Sequence, residues 1–125
     1  MKSHELGWED KYRLFDEVHS TTPHHRTVVN YDKIDRLWVH QIVDYTLFGI
    51  IPSDPYVYCV LINDIFELTE RTIRSGKYKD IKPLAEWILN YVPAAAFGGQ
   101  EEIEAWQKCG GCVGLSWQRN RLKSA

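Results

Sequence analysis

Apolar side chains recur every three or four residues along most of this chain, and the gaps between the runs fall at glycine or proline. That spacing is the period of a helix with one buried face, not of a strand. Residues 1–22 carry Leu6, Trp8, Tyr12, Leu14, Phe15 and Val18 at near-helical intervals. Glu5, Glu9 and Asp10 come early, where the positive end of a helix dipole favours acids, and Ser20-Thr21-Thr22-Pro23 closes the segment. Residues 23–31 read as a linker, with Thr27-Val28-Val29 as a short extended piece and no second strand candidate to pair with it.

A second helix is expected from Asn30 or Tyr31-Asp32 to Phe48, with Ile34, Leu37, Trp38, Ile42, Tyr45 and Phe48 on one broad face. Gly49 and then Pro52 stop it. Ser53-Asp54-Pro55 is a strong start, a capping side chain followed by proline in the first turn. The third helix is expected to run to Arg74 and is the most apolar, through Val57, Val60, Leu61, Ile65, Phe66, Leu68 and Ile73, until Gly76 ends it. The fourth begins near Asp80 and ends before Pro93, with Ile81, Leu84, Trp87, Ile88 and Tyr91 as its buried stripe and Pro83 tolerable only in the first turn. A turn over residues 93–99 leads to a fifth helix, from Gln100 to Lys108, anchored by Ile103 and Trp106. Residues 109–125 read as a glycine-rich turn and a basic tail. The expectation is an all-α fold, a bundle of five helices with short loops in a single domain over residues 1–125, its helical core at 32–108.

Composition narrows the function classes. Five Trp, seven Tyr and four Phe supply the apolar area that a disordered chain lacks. A net charge of -2 argues against a general nucleic-acid coat, so nucleic acid is not the expected partner. No apolar run approaches the roughly 20 residues that span a bilayer, so no membrane partner is expected. The start, MKSHELGWED, lacks the apolar stretch of a secretory signal, and three cysteines are too few for a disulfide-stapled secreted fold. The expected location is the cytoplasm.

Four clusters are candidates for chemistry. Asn63 and Asp64 interrupt an apolar helix. Asp64, Glu67, Arg71 and Arg74 then fall on one face of it, with Glu67–Arg71 and Glu70–Arg74 as favourable i,i+4 pairs. This strip is either a solvated, self-paired face or an interface or anionic-ligand site built on Arg71 and Arg74. His24-His25-Arg26 lies in a loop and could contact phosphate, or be plain solvated linker. Cys109-Gly-Gly-Cys112 is the one C-x-x-C pair. It follows a helix, where the dipole raises rather than lowers a thiol pKa, and a zinc site would need two further ligands. Its bland reading is a glycine-rich helix stop, and no cofactor is expected. Residues 116–123 mix Trp117 with Arg119, Arg121 and Lys123, a stacking-plus-phosphate composition or simply a frayed end. His19 and His40 read as surface or boundary residues of helices. No phosphate-binding loop, dinucleotide fingerprint, nucleophile elbow or zinc-protease motif occurs.

Tyr45-x-x-Phe48-Gly49-x-x-Pro52, then Val60-Leu61-x-Asn63-Asp64, then Pro93-x-x-Ala96-Phe97-Gly98-Gly99 and Trp106 form an ordered series. It resembles the pattern Y-x-x-x-G-x-x-P, V-L-x-N-D, P-x-x-C-W-G-S and a final Trp of a group of small bacteriophage and prophage proteins. Ser53 stands where that family has Gly, and Ala96-Phe97-Gly98-Gly99 where it has Cys-Trp-Gly-Ser. The resemblance implies a phage-encoded, non-enzymatic accessory protein that binds a host protein or complex in the bacterial cytosol. Inhibitors of bacterial immunity, such as CRISPR inhibitors, belong to this class. The aromatic load, including Tyr56, Tyr58 and Tyr78 at helix ends, suits an interface, and a homo-oligomer is the first assembly expected. An exposed apolar patch around the second and third helices would mark it. The alternative is an oligomeric nucleotide-binding protein using Arg71, Arg74, His24, His25 or Arg26; a third is a zinc or thiol protein through Cys109 and Cys112.

Overall fold

Asp35 and Asp54 show how local chemistry sets the helix starts. The Asp35 carboxylate accepts from the Leu37 N–H at 2.9 Å, and Asp54 accepts from Tyr56 at 2.8 Å and Val57 at 3.3 Å, with Pro55 at the first helical position. Each carboxylate satisfies N–H groups that a helix start leaves without partners. The computed structural model describes residues 3–20, 29–64, 67, 74 and 78–114. Among these the chain is all-α, with no strand. The helices are α1 (Trp8–Ser20), α2 (Arg36–Phe48), α3 (Pro55–Ile62), α4 (Tyr78–Tyr91) and α5 (Gln100–Cys109), with single 3-10 turns at Ser3–Glu5 and Ala94–Ala96. The linker residues up to 28 and the basic tail from 115 onward lie outside the described residues.

Several boundaries differ from the sequence expectation. α1 starts at Trp8 rather than at the chain start, with the Lys11 N–H bonded to the Gly7 carbonyl at 3.1 Å. α2 starts at Arg36 rather than at residues 30–32. There the Asn30 side chain accepts from the Asp32 N–H at 3.1 Å and folds the backbone into a turn instead. α4 starts two positions before Asp80, which places Pro83 inside the helix, where it can offer no N–H to the turn before it. Residues 111–114, expected as part of a turn, form a further helical turn beyond α5.

The largest correction is at α3, which stops at Ile62 instead of running to Arg74. Asn63 takes the left-handed conformation, φ 60°, and donates to Val60 at 3.2 Å while Asp64 donates to Cys59 at 2.9 Å. That is a helix stop of the kind usually made by glycine, and asparagine is among the few other residues that accept it. The Asp64 carboxylate then accepts from the Glu67 N–H at 3.0 Å, capping a new helical start at Glu67. Continuous apolar periodicity hid this break, because the stop carries neither glycine nor proline.

The core is built around α2, whose Trp38, Val39, Ile42, Val43, Tyr45, Thr46 and Leu47 are all buried. Trp87 of α4 is 1% exposed, stacks 5.7 Å from Phe15 of α1, and donates its indole N–H to the Asn30 carbonyl at 2.8 Å. The Tyr45 hydroxyl donates to the Ala96 carbonyl, and the Trp106 indole donates to the Tyr45 carbonyl at 2.9 Å. The C-terminal ends of α2 and α5 then meet backbone to backbone. A Cβ on Gly111 would lie 2.6 Å from the Leu47 carbonyl carbon, and one on Gly49 2.9 Å from the Trp106 carbonyl oxygen. Both glycines are left-handed, at φ 69° and 72°. Gly49 and the second glycine of Cys109-Gly-Gly-Cys112, Gly111, are thus two halves of one contact.

Candidate functional site

The polar chemistry of the described residues concentrates between α1 and α2. Trp8, Lys11, Tyr12 and Phe15 fall on the inward side of α1, at i, i+3, i+4 and i+7. Arg36, His40, Asp44 and Phe48 form an i+4 row on α2. Packing these rows together puts the Lys11 ammonium 2.9 Å from an Asp44 carboxylate oxygen, with Lys11 only 5% exposed. The same ammonium lies 4.1 Å from the centre of the Trp8 ring, where the ring's negative face attracts a cation.

A row of rings continues from there. The His40 imidazole stacks on Trp8 at 3.6 Å and 10°, and His40 Nε2 is 2.8 Å from the Tyr12 hydroxyl. Tyr12 stacks on Tyr31 at 4.4 Å. The Tyr31 hydroxyl donates to Asp16 Oδ1 at 2.7 Å and lies 3.2 Å from the Tyr12 carbonyl oxygen. Trp8, Tyr12, Tyr31 and His40 are each half-buried, so the row runs along the surface while Phe15 and Trp87 carry it into the core. Burial pushes the Tyr12 and Tyr31 phenols up, and at Tyr31 the bond to Asp16 adds to it. Burial, with Arg36 and Lys11 nearby, pushes the His40 imidazole down against the opposing pull of Asp44. At neutral pH the row therefore holds protonated phenols and a neutral imidazole, able to exchange hydrogen bonds but carrying no charge of its own.

Sequence reasoning missed this cluster. His40 was expected as a surface or boundary residue, and Lys11 and Asp44 carried no motif. The faint signal was the i+4 row of Arg36, His40 and Asp44 on one helix, opposite Lys11 on another.

The residues expected to form a site have separate fates. Asn63 and Asp64 are the stop of α3 and the cap of the next stretch, not a polar interruption within one helix, so Asp64 does not share a helix face with Glu67. Asn63 and Arg74 are exposed, and Asp64 and Glu67 are half-buried. Arg71, His24, His25 and Arg26 lie outside the described residues. The Cys109 thiol donates to the Trp106 carbonyl at 3.2 Å, and burial, with Cys109 beside it, pushes the Cys112 thiol up to about 11. A thiol that ionises so reluctantly is a poor nucleophile at neutral pH. Cys59 is buried in α3. Among the described residues no group of three or more His, Cys, Asp or Glu side chains is placed to hold a metal ion.

The outer surface is uneven. Glu9, Asp10, Asp16 and Glu17 of α1 are exposed alongside Arg13, which pairs with Asp10 at 3.6 Å. The large exposed apolar side chains among the described residues are Leu37, Ile50 and Leu89. Leu37 and Ile50 stand at opposite ends of α2 and Leu89 on α4. No described helix is long and apolar enough to cross a membrane. No family model, curated protein or solved structure matches this chain.

Proposed function

We propose that this is a phage-encoded, non-enzymatic accessory protein that acts in the host cytosol by binding a host component, in the class of inhibitors of bacterial immunity. The observation that carries the reading is the outward side of α1. Glu9, Asp10 and Glu17 stand exposed there around Arg13, while the inward side of the same helix is consumed by Trp8, Lys11, Tyr12 and Phe15. A rigid acidic surface suits a basic partner, steering the encounter and selecting against acidic competitors. RNA-guided host nucleases offer such a partner, because their heteroduplex lies in a positively charged channel. The phage origin rests on the resemblance in residues 45–106.

The test is a plaque assay on cells whose CRISPR immunity blocks a challenge phage. Expression of the wild-type protein should restore plaques. Glu9→Lys/Asp10→Lys/Glu17→Lys should not, although it stays folded by circular dichroism at the assay temperature; its melting temperature should fall, because two of the three acids lie in the first turn of α1. No restoration by the wild type against a panel of immune systems would sink the anti-defence reading. Equal restoration by the charge-reversed protein would sink α1 as the binding surface.

A further inference from the structure

We propose that the junction of α1 and α2 is an acid-sensitive latch, in which a proton on His40 loosens α1 from the rest of the fold. The geometry places His40 where its charge matters to both helices. Its ring lies 3.6 Å from Trp8 and 2.8 Å from the Tyr12 hydroxyl, so α1 supplies two of its contacts. Asp44, one turn further along α2, is the partner of Lys11 at 2.9 Å. The charged and titratable groups facing His40 are Lys11 and Tyr12 from α1, and Arg36 and Asp44 from α2. Between the helices, Asp32 and Tyr31 bear on the far side of Tyr12.

With His40 neutral, one carboxylate serves one nearly buried ammonium. With His40 charged, Asp44 is drawn to two cations, its i−4 neighbour and Lys11, while Arg36 adds a third positive charge to the same row. Lys11, 5% exposed, cannot recover its loss from water without leaving its place beside Trp8. The Tyr12 contact survives either charge state, because a hydroxyl both donates and accepts; the strain falls on the Lys11–Asp44 pair. The sign follows from burial and the neighbouring cations. Both hold the folded imidazole below its ordinary value. The unfolded chain therefore takes up the proton first, and the stability contributed here is full above about pH 6.5 and drains away as pH falls toward the folded value. This device does not depend on what the outer face of α1 binds.

Hydrogen exchange on the full chain tests it, at pH 7.5 and 5.5 with rates corrected for intrinsic exchange. Peptides within Trp8–Ser20 should lose protection at pH 5.5 relative to peptides within Gln100–Cys109. The loss should be severalfold and at most about tenfold, because pH 5.5 lies about one unit below the unfolded imidazole's value. His40→Gln, which can still hydrogen-bond Tyr12 but cannot titrate, should show no such loss. Equal relative protection of α1 at both pH values would overturn the proposal, as would the same acid loss in His40→Gln. Should that variant fail to fold, an NMR titration of the wild type decides. The His40 ring and the Trp8 indole N–H should shift with one midpoint, and separate midpoints refute the latch.

Discussion

Lys11 shows how much a single side chain depends on its partner. Its ammonium is held by Asp44 and by the ring of Trp8, almost without water. Asp44→Asn should therefore cost about 2 kcal/mol, because it leaves a nearly buried charge poorly matched. Replacing both groups, as Lys11→Met with Asp44→Leu, should cost less than that single change, since no orphan charge remains. Urea denaturation of the two variants against the wild type measures both. Tyr31 makes a smaller case. Tyr31→Phe keeps the ring against Tyr12 and Phe15 but loses the hydroxyl bond to Asp16, and should lower stability by about 1–2 kcal/mol in the same experiment.

At the scale of elements, the junction after α3 is the most informative. Asn63 supplies the left-handed stop and Asp64 the cap of the next helical stretch, so two adjacent polar residues turn the chain with no glycine. Asn63→Gly should be neutral or slightly stabilising, whereas Asn63→Val should cost about 1–2 kcal/mol, because a β-branched residue resists the left-handed region. Asp64→Ala should cost about 1 kcal/mol by leaving the Glu67 N–H without its acceptor. Thermal melts of the three variants give the order. Of the polar strip expected along one long helix, Asp64 is instead the cap, Glu67 and Arg74 both follow the break, and Arg71 lies outside the described residues.

At the scale of the whole molecule, the C-terminal ends of α2 and α5 are held in direct backbone contact. Gly111 meets the Leu47 and Gly49 backbone so closely that any Cβ must push the two helix ends apart, whereas a Cβ on Gly110 finds its nearest neighbour at 3.5 Å. Gly110→Ala should therefore carry mainly the backbone strain of its left-handed φ, about 1 kcal/mol. Gly111→Ala adds a collision between backbones and should be several times more damaging, to the point of losing cooperative unfolding. Calorimetric melts of the two proteins discriminate them. The same contact gives Cys109-Gly-Gly-Cys112 a structural purpose that needs neither metal nor redox chemistry.

What the sequence by itself determined is what short-range physics controls. The all-α class follows from apolar spacing, the start at Asp54-Pro55 from a capping carboxylate and a proline in the first turn, and the stop at Gly49 from the left-handed backbone that glycine adopts freely. Core residues such as Trp87, Ile88, Ile103 and Trp106 were legible because a helix repeats its buried face. The stop at Asn63 was not, since asparagine adopts the left-handed conformation only where its surroundings favour it. The site was the least legible part. Lys11 and Asp44, His40 and Trp8, and Gly49 and Gly111 are each far apart in the chain, and no local pattern says which helix faces which. Only the packing of α1 on α2 and of α2 on α5 decided those pairs, because a charge pair, a ring stack or a backbone contact exists only once two helices have been brought together.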